Sequence, residues 1–267
     1  MTPDFMMPDF MMREAMTTID LNCDMGESFG AWTMGQDDAV LAHVTSANIA
    51  CGFHAGDPLT MRRTVAAAVR QGVAIGAHPS LPDLAGFGRR EMRVTADETY
   101  AMTLYQIGAL AAVARAAGAA LHHVKPHGAL YNMAAKDRAL ADAIANAVLD
   151  FDAALILVGL ANSELPRAGE AAGLAVAHEA FGDRRYEADG SLMARSKQGA
   201  VIDDVDAAVA QAVSIATRGA AGDLRVRADT ICVHGDRADA AIFARRLRES
   251  LDAAGVRVAR LDRDRAA

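Results

Sequence analysis

Aromatic residues make up only 5% of the 267 positions, and lysine occurs three times, at Lys125, Lys136 and Lys197. The net charge is −7 at pH 7, and the basic side chains are not clustered. A nucleic-acid surface needs a basic face with interleaved aromatic rings, so the composition argues against nucleic acid as a partner. No apolar run reaches the roughly 18 residues that a membrane span needs, which leaves the membrane out as well. Cysteine is confined to Cys23, Cys51 and Cys232, an odd number with no C-x-x-C pair. That usage fits a reduced, cytoplasmic setting, with each thiol a small buried hydrophobe, better than a disulfide framework. Three signatures of chemistry are missing too. G-x-x-x-x-G-K-[ST] is absent, so a P-loop does not hold any ATP that is used. There is no H-E-x-x-H pair and no dinucleotide fingerprint after the first strand.

What is present is a repeated unit: a short apolar run that stops at a polar or charged residue and is followed by a helical segment. Predicted strands cover Thr18–Asn22, Ser46–Cys51, Val73–Ala77, Leu121–Val124, Ala154–Val158, Ala175–Ala177 and Thr230–Val233, with a short further strand at Val256–Leu261. Helices are predicted over Asp37–Val44, Leu59–Gln71, from Thr95 to about Ala117, and over Lys136–Leu149, Ser163–Ala172, Val205–Arg218 and Asp239–Ala254. Pro58 suits a first helical turn, Gly72 a helix end, and Thr95 with Glu98 a capping box. Seven strand–helix units and one extra strand fit a (β/α) barrel with seven or eight parallel strands. A doubly wound open sheet is the alternative, because sequence does not report whether the edges close. Residues 17–267 read as one domain. Residues 1–16, where Pro-Asp-Phe-Met-Met occurs twice in succession, read as a disordered extension.

In a parallel sheet, the polar residues that end the strands converge on one mouth. Asp24 and Glu27, His54, His78, Lys125 and His127, Glu179 and Asp183, and His234 are such residues. Each has a plain alternative, such as a turn residue or a surface ion pair. The case for a site rests on the set, since only the fifth strand ends without one. Lys125 follows a buried strand directly. An unpaired buried ammonium is costly, so this lysine must reach water, a carboxylate or a substrate. Arg89 and Arg90, in the glycine-rich loop, and Arg184 are candidates to clamp an anion. Asn22 and Asn48 join Glu27, Asp183 and His234 as candidate substrate contacts. A divalent metal held by Asp24, His54, His78 and His127 is a further possibility, although dispersed ligands have no diagnostic spacing.

The blocks Ile19–Gly30, Ala47–Asp57, Gly76–Ser80, Gly86–Arg90, Val124–Asn132, Glu179–Tyr186 and Ile231–Asp236 resemble the LamB/YcsF family, in order, from about Thr18 to Asp236. The resemblance implies an irregular barrel of the glycoside hydrolase/deacetylase type. It also implies ATP-dependent opening of 5-oxoproline to L-glutamate, in a complex with 5-oxoprolinase subunits B and C. On that expectation Asp24 or Glu179 is the general base, and His54, His78 or His127 is the proton donor. Lys125 and a loop arginine hold anionic oxygens. Two rivals remain: a stand-alone metal-dependent hydrolase of the deacetylase type, and a non-catalytic subunit that binds the substrate for its partners.

Overall fold

The structure is a computed structural model and describes residues 17–263, apart from 196, 234 and 236–238. The expected extension at 1–16, and His234 among the expected site residues, lie outside the described residues. The strands are β1 (Thr18–Met25), β2 (Ser46–Ala50), β3 (Ala74–His78), β4 (His123–Val124), β5 (Ile156–Leu160), β6 (Ala175–Phe181), β7 (Ala220–Ala221), β8 (Leu224–Arg225), β9 (Thr230–Val233) and β10 (Arg257–Val258). The helices are α1 (Asp37–Leu41), α2 (Pro58–Gln71), α3 (Ala96–Ala116), α4 (Gly128–Ala134), α5 (Arg138–Phe151), α6 (Glu164–Ala172), α7 (Val205–Arg218) and α8 (Ala240–Ala253).

Seven strands run parallel in the order β1-β2-β3-β4-β5-β6-β9, and β9 pairs back onto β1, with Leu21 opposite Ile231. Closure settles the choice between barrel and open sheet. The predicted extra strand forms as β10, but it pairs only with the start of β1 and lies outside the ring. β7 and β8 form a small antiparallel hairpin.

Local signals start and stop the helices. The Asp57 carboxylate accepts from the Leu59 and Thr60 amides at 2.9 and 3.1 Å, and Pro58 fills the first turn of α2. In α3, Thr95 and Glu98 cap each other reciprocally. Between the ring and the helices lies the main apolar core, built from the outward residues of β1 (Ile19, Leu21, Cys23, Met25) and helix faces such as Ile107, Leu110 and Ala114 of α3. Truncating one of its larger members to alanine would cost roughly 2–5 kcal/mol.

Alternation sends the other half of each strand into the ring, and the interior is divided. Asp20, Asn22 and Asp24 of β1 point inward and bond to groups on other strands. On the opposite side β5 and β6 supply Ile156, Val158, Ala175 and Ala177, which pack with Leu261. Two strands are longer than the sequence implies. β1 continues through Asp24 to Met25, and β6 continues through Glu179 to Phe181, so these acids sit on the rigid sheet and not on loops. The pleat simply carries on through residues whose polarity looked like a strand end.

Candidate active site

At the C-terminal mouth of the ring, Lys125 follows β4 and reaches across the interior. Its ammonium donates to Asp24 Oδ1 at 2.9 Å, Asn22 Oδ1 at 3.1 Å and Cys232 Sγ at 3.2 Å, and pairs with Glu179 Oε1 at 2.7 Å. Burial opposes this charge, but Asp24, together with Cys232 and Glu179, lifts the lysine well above its ordinary value. Burial would also raise Asp24; His78 and Lys125 outweigh it and hold this carboxyl well below the usual range. Glu179 is fully buried, bonded to Lys125, to Asn22 Nδ2 at 3.0 Å and to the Tyr131 hydroxyl at 2.7 Å. Asp24 keeps some exposure, 15%, and lines a cavity of about 790 Å³.

Three imidazoles crowd beside Asp24. His54 and His127 stack with ring centres 3.8 Å apart, and His78 meets His127 edge-on. The His78 Nε2 atom is 3.3 Å from Asp24 Oδ2 and 3.0 Å from His127 Nδ1. Glu27 Oε1 is 3.2 Å from His54 Nε2 and 3.5 Å from His127 Nδ1. Burial drives His54 well below its ordinary pKa and His127 down to about 3, so both rings are neutral near pH 7.

The loop after β3 closes over this group. Phe87, at φ +55°, turns its carbonyl onto His127 Nε2 at 2.9 Å. Gly88 follows at φ +63°, where a Cβ would collide with Ser80, His54 and His127, so only glycine fits there.

The expected site residues divide into three groups. Asp24, His78, Lys125, His127, Arg89 and Arg184 line the cavity. His54, Glu27, Glu179, Asn22 and Asn48 are buried and lie outside the cavity lining. Asn22 and Asn48 are bonded on every side: Asn48 donates to Asn22 at 2.7 Å and to Asp24 at 2.8 Å and accepts from His123 at 2.8 Å. Both amides are thereby tied into the charged floor. Arg90 is 68% exposed, forms a pair with Asp83, and is not in the lining; nor is the buried Asp183. Arg184 is held by the Met193 carbonyl at 2.7 Å, and burial with the nearby Arg195 lowers it to about 10.

Sequence reasoning passed over Tyr131, Phe181 and the segment Asp189–Arg195, all of which line the cavity. Tyr131 had a signal: it sits in the first turn of a helix that begins three residues after Lys125. The 189–195 segment had none, because its place over the mouth is set by bridges such as Tyr186 with Leu192.

A closed parallel ring with an ionised acid, a buried ammonium and neutral imidazoles under an open cavity at its C-terminal end is the arrangement of a barrel enzyme. The chain belongs to the LamB/YcsF family, whose sequence pattern matches residues 19–266. The 5-oxoprolinase A-subunit from Tolumonas auensis is 59% identical over 248 residues, covering 91% of this chain and 99% of that one. Its counterpart from Methylococcus capsulatus, which carries the same name, is 61% identical over 249 residues, covering 91% and 96%. Among solved structures, a lactam utilization protein from Thermus thermophilus superposes with a TM-score of 0.87 at 47% identity, covering 91% of this chain and all of that one. The fold is a closed barrel of seven parallel strands surrounded by helices, shared with that solved structure. No helix among the described residues is long and apolar enough to cross a membrane.

Proposed function

We propose that this chain is the barrel subunit of an ATP-dependent 5-oxoprolinase, opening 5-oxoproline to L-glutamate together with subunits B and C. The observation that carries this reading is end-to-end similarity, near 60% identity, to proteins named for that activity. The site supports it chemically. A five-membered lactam is an unreactive amide, and phosphorylation of its oxygen makes the ring carbon electrophilic. Water then adds to that carbon, the C–N bond breaks with the ring nitrogen taking a proton, and a second water hydrolyses the resulting γ-glutamyl phosphate to L-glutamate and inorganic phosphate.

Asp24 is the cavity-lining carboxylate, ionised at neutral pH, and takes the proton from the attacking water before returning it to the ring nitrogen. Lys125 stays cationic and holds the oxygen on which negative charge develops. Glu179, saturated by Lys125, Asn22 and Tyr131, is a positioning residue and not the base. His54 and His127, which burial keeps neutral, do not suit the role of proton donor. Higher in the cavity, Arg89, Arg167, Arg184, Arg195 and Lys136 outnumber Glu91, Glu164 and Asp189, with Arg167 paired to Glu164, and leave a net basic rim suited to a phosphoryl group. The sequence has no P-loop, which favours the partner subunits as the place of the ATP site although other nucleotide sites lack that motif, and the proposed setting is cytoplasmic.

The test is glutamate release from 5-oxoproline and ATP by this chain alone, by subunits B and C alone, and by all three together. Release only from the complete mixture is expected. Release from this chain alone would move the ATP site onto it, and no release from any mixture would overturn the assignment.

A further inference from the structure

Two hydrogen bonds on the outer side of the histidine cluster decide what its inner side can do. A carbonyl oxygen can only accept. His78 Nδ1, 2.7 Å from the Lys125 carbonyl, therefore carries the ring proton of His78, and His127 Nε2 carries that of His127 for the Phe87 carbonyl at 2.9 Å. With both rings neutral, the inner atoms, His78 Nε2 and His127 Nδ1, carry lone pairs that face each other at 3.0 Å. The other groups aimed at them are carboxylate oxygens: Asp24 Oδ2 at 3.3 Å from His78 and Glu27 Oε1 at 3.5 Å from His127. His54 Nε2 closes the set, and its Nδ1 is buried with no hydrogen-bond partner among the described residues. Lone pairs packed this closely repel one another unless something positive lies between them.

We infer that Glu27, His54, His78 and His127 form a binding site for one divalent first-row transition ion of the zinc class. One ligand atom from each lies within 4.8 Å of all the others. In a tetrahedron with metal–ligand distances of about 2.0–2.1 Å, ligand atoms are roughly 3.3–3.4 Å apart; the contacts of 3.0, 3.2 and 3.5 Å here bracket that value. Imidazole-rich sets with one carboxylate suit zinc, cobalt or nickel better than calcium or magnesium. Backbone carbonyls that fix the outer ring nitrogens are the supports metal-bound histidines use. His78 and His127 also line the cavity, which brings the ion within reach of a bound oxygen. The site does not depend on the identity of the substrate.

The test uses the full chain, stripped with a chelator and titrated calorimetrically with Zn²⁺ alone. One equivalent should bind, and the melting temperature should rise with it. Glu27→Gln and His54→Gln, which nearly preserve side-chain volume, should each weaken binding by more than the 10–100-fold typical of losing an outer-shell partner. His43→Asn, just beyond the end of α1, should bind as the unmodified protein does. Should either cluster variant fail to fold, Co²⁺ added to the unmodified chain gives an independent reading: an intense visible band supports the site, and a pale aquo-like spectrum overturns it. Absence of stoichiometric Zn²⁺ binding, or binding that survives both cluster substitutions, would mean that a shared proton and not a metal holds the cluster together.

Discussion

Asp20 and Asp24 lie on the same strand, four residues apart, and both point into the ring. At the base, Asp20 receives hydrogen bonds from the hydroxyls of Thr45, Ser46 and Thr230, with no cation bonded to it among the described residues. At the mouth, Asp24 receives an ammonium and an amide and lies 3.3 Å from an imidazole nitrogen. Burial pushes the Asp20 carboxyl up, whereas His78 and Lys125 pull Asp24 down against the same burial. The difference shows that burial alone does not make a reactive acid. Neutral donors satisfy a carboxylate and end the matter; a shared cation leaves it ionised next to a group that also faces the cavity.

The largest test of this contrast is Lys125→Met. Removing the cation strands two buried carboxylates, which costs about 3–5 kcal/mol of stability, and it removes the oxygen anchor, so turnover of the complete complex should fall at least about 10²-fold. Urea denaturation and glutamate release measure the two losses separately. Asp24→Asn should lower turnover by about 10²–10⁴-fold while the chain still folds. If it instead abolished substrate binding and left turnover at saturation intact, Asp24 would be a binding group only.

Asp20→Asn should do the reverse, removing about 1–3 kcal/mol of stability and sparing turnover of the folded fraction. A pH series sharpens the point. A carboxyl whose pKa is raised on folding favours the folded state while protonated, and that advantage is lost as pH rises through the folded value. The stability gap between the unmodified chain and Asp20→Asn should therefore narrow from about pH 4 towards neutrality. Loss of turnover in well-folded Asp20→Asn would break the division between base and mouth. The smallest effect belongs to the loop. Arg90→Ala should change substrate affinity and turnover by no more than about twofold, because its guanidinium is engaged by Asp83, whereas Arg89→Ala should raise KM.

Much of this was legible in the sequence. The seven strand–helix units, the caps of α2 and α3, and the convergence of Asp24, His78, Lys125 and His127 all follow from periodicity and strand-end polarity. Closure did not, because an inward-facing stripe of Asp20, Asn22 and Asp24 reads like the solvent face of an open sheet; only the β1–β9 pairing turns it into an interior. The bonds of Asn22 and Asn48 to groups on other strands were hidden for a related reason, since an amide in a strand does not announce its partners. Arg89 and Arg90 are adjacent and chemically alike, and the turn that sends one to the cavity and the other to Asp83 depends on the backbone of Phe87 and Gly88.

The saturated floor also has a consequence for how such a protein can change. Asn22, Asn48, Glu179 and Lys125 bond to one another across four strands, so altering any one leaves a buried partner unmet. In the rim formed by Arg89, Arg184 and the 189–195 segment, the Arg184 guanidinium bonds to loop carbonyls, those of Ala200 and Met193. New substrate preferences can therefore be written in the loops while the machinery beneath is inherited whole, and a variant library aimed at the rim should yield folded proteins far more often than one aimed at the floor.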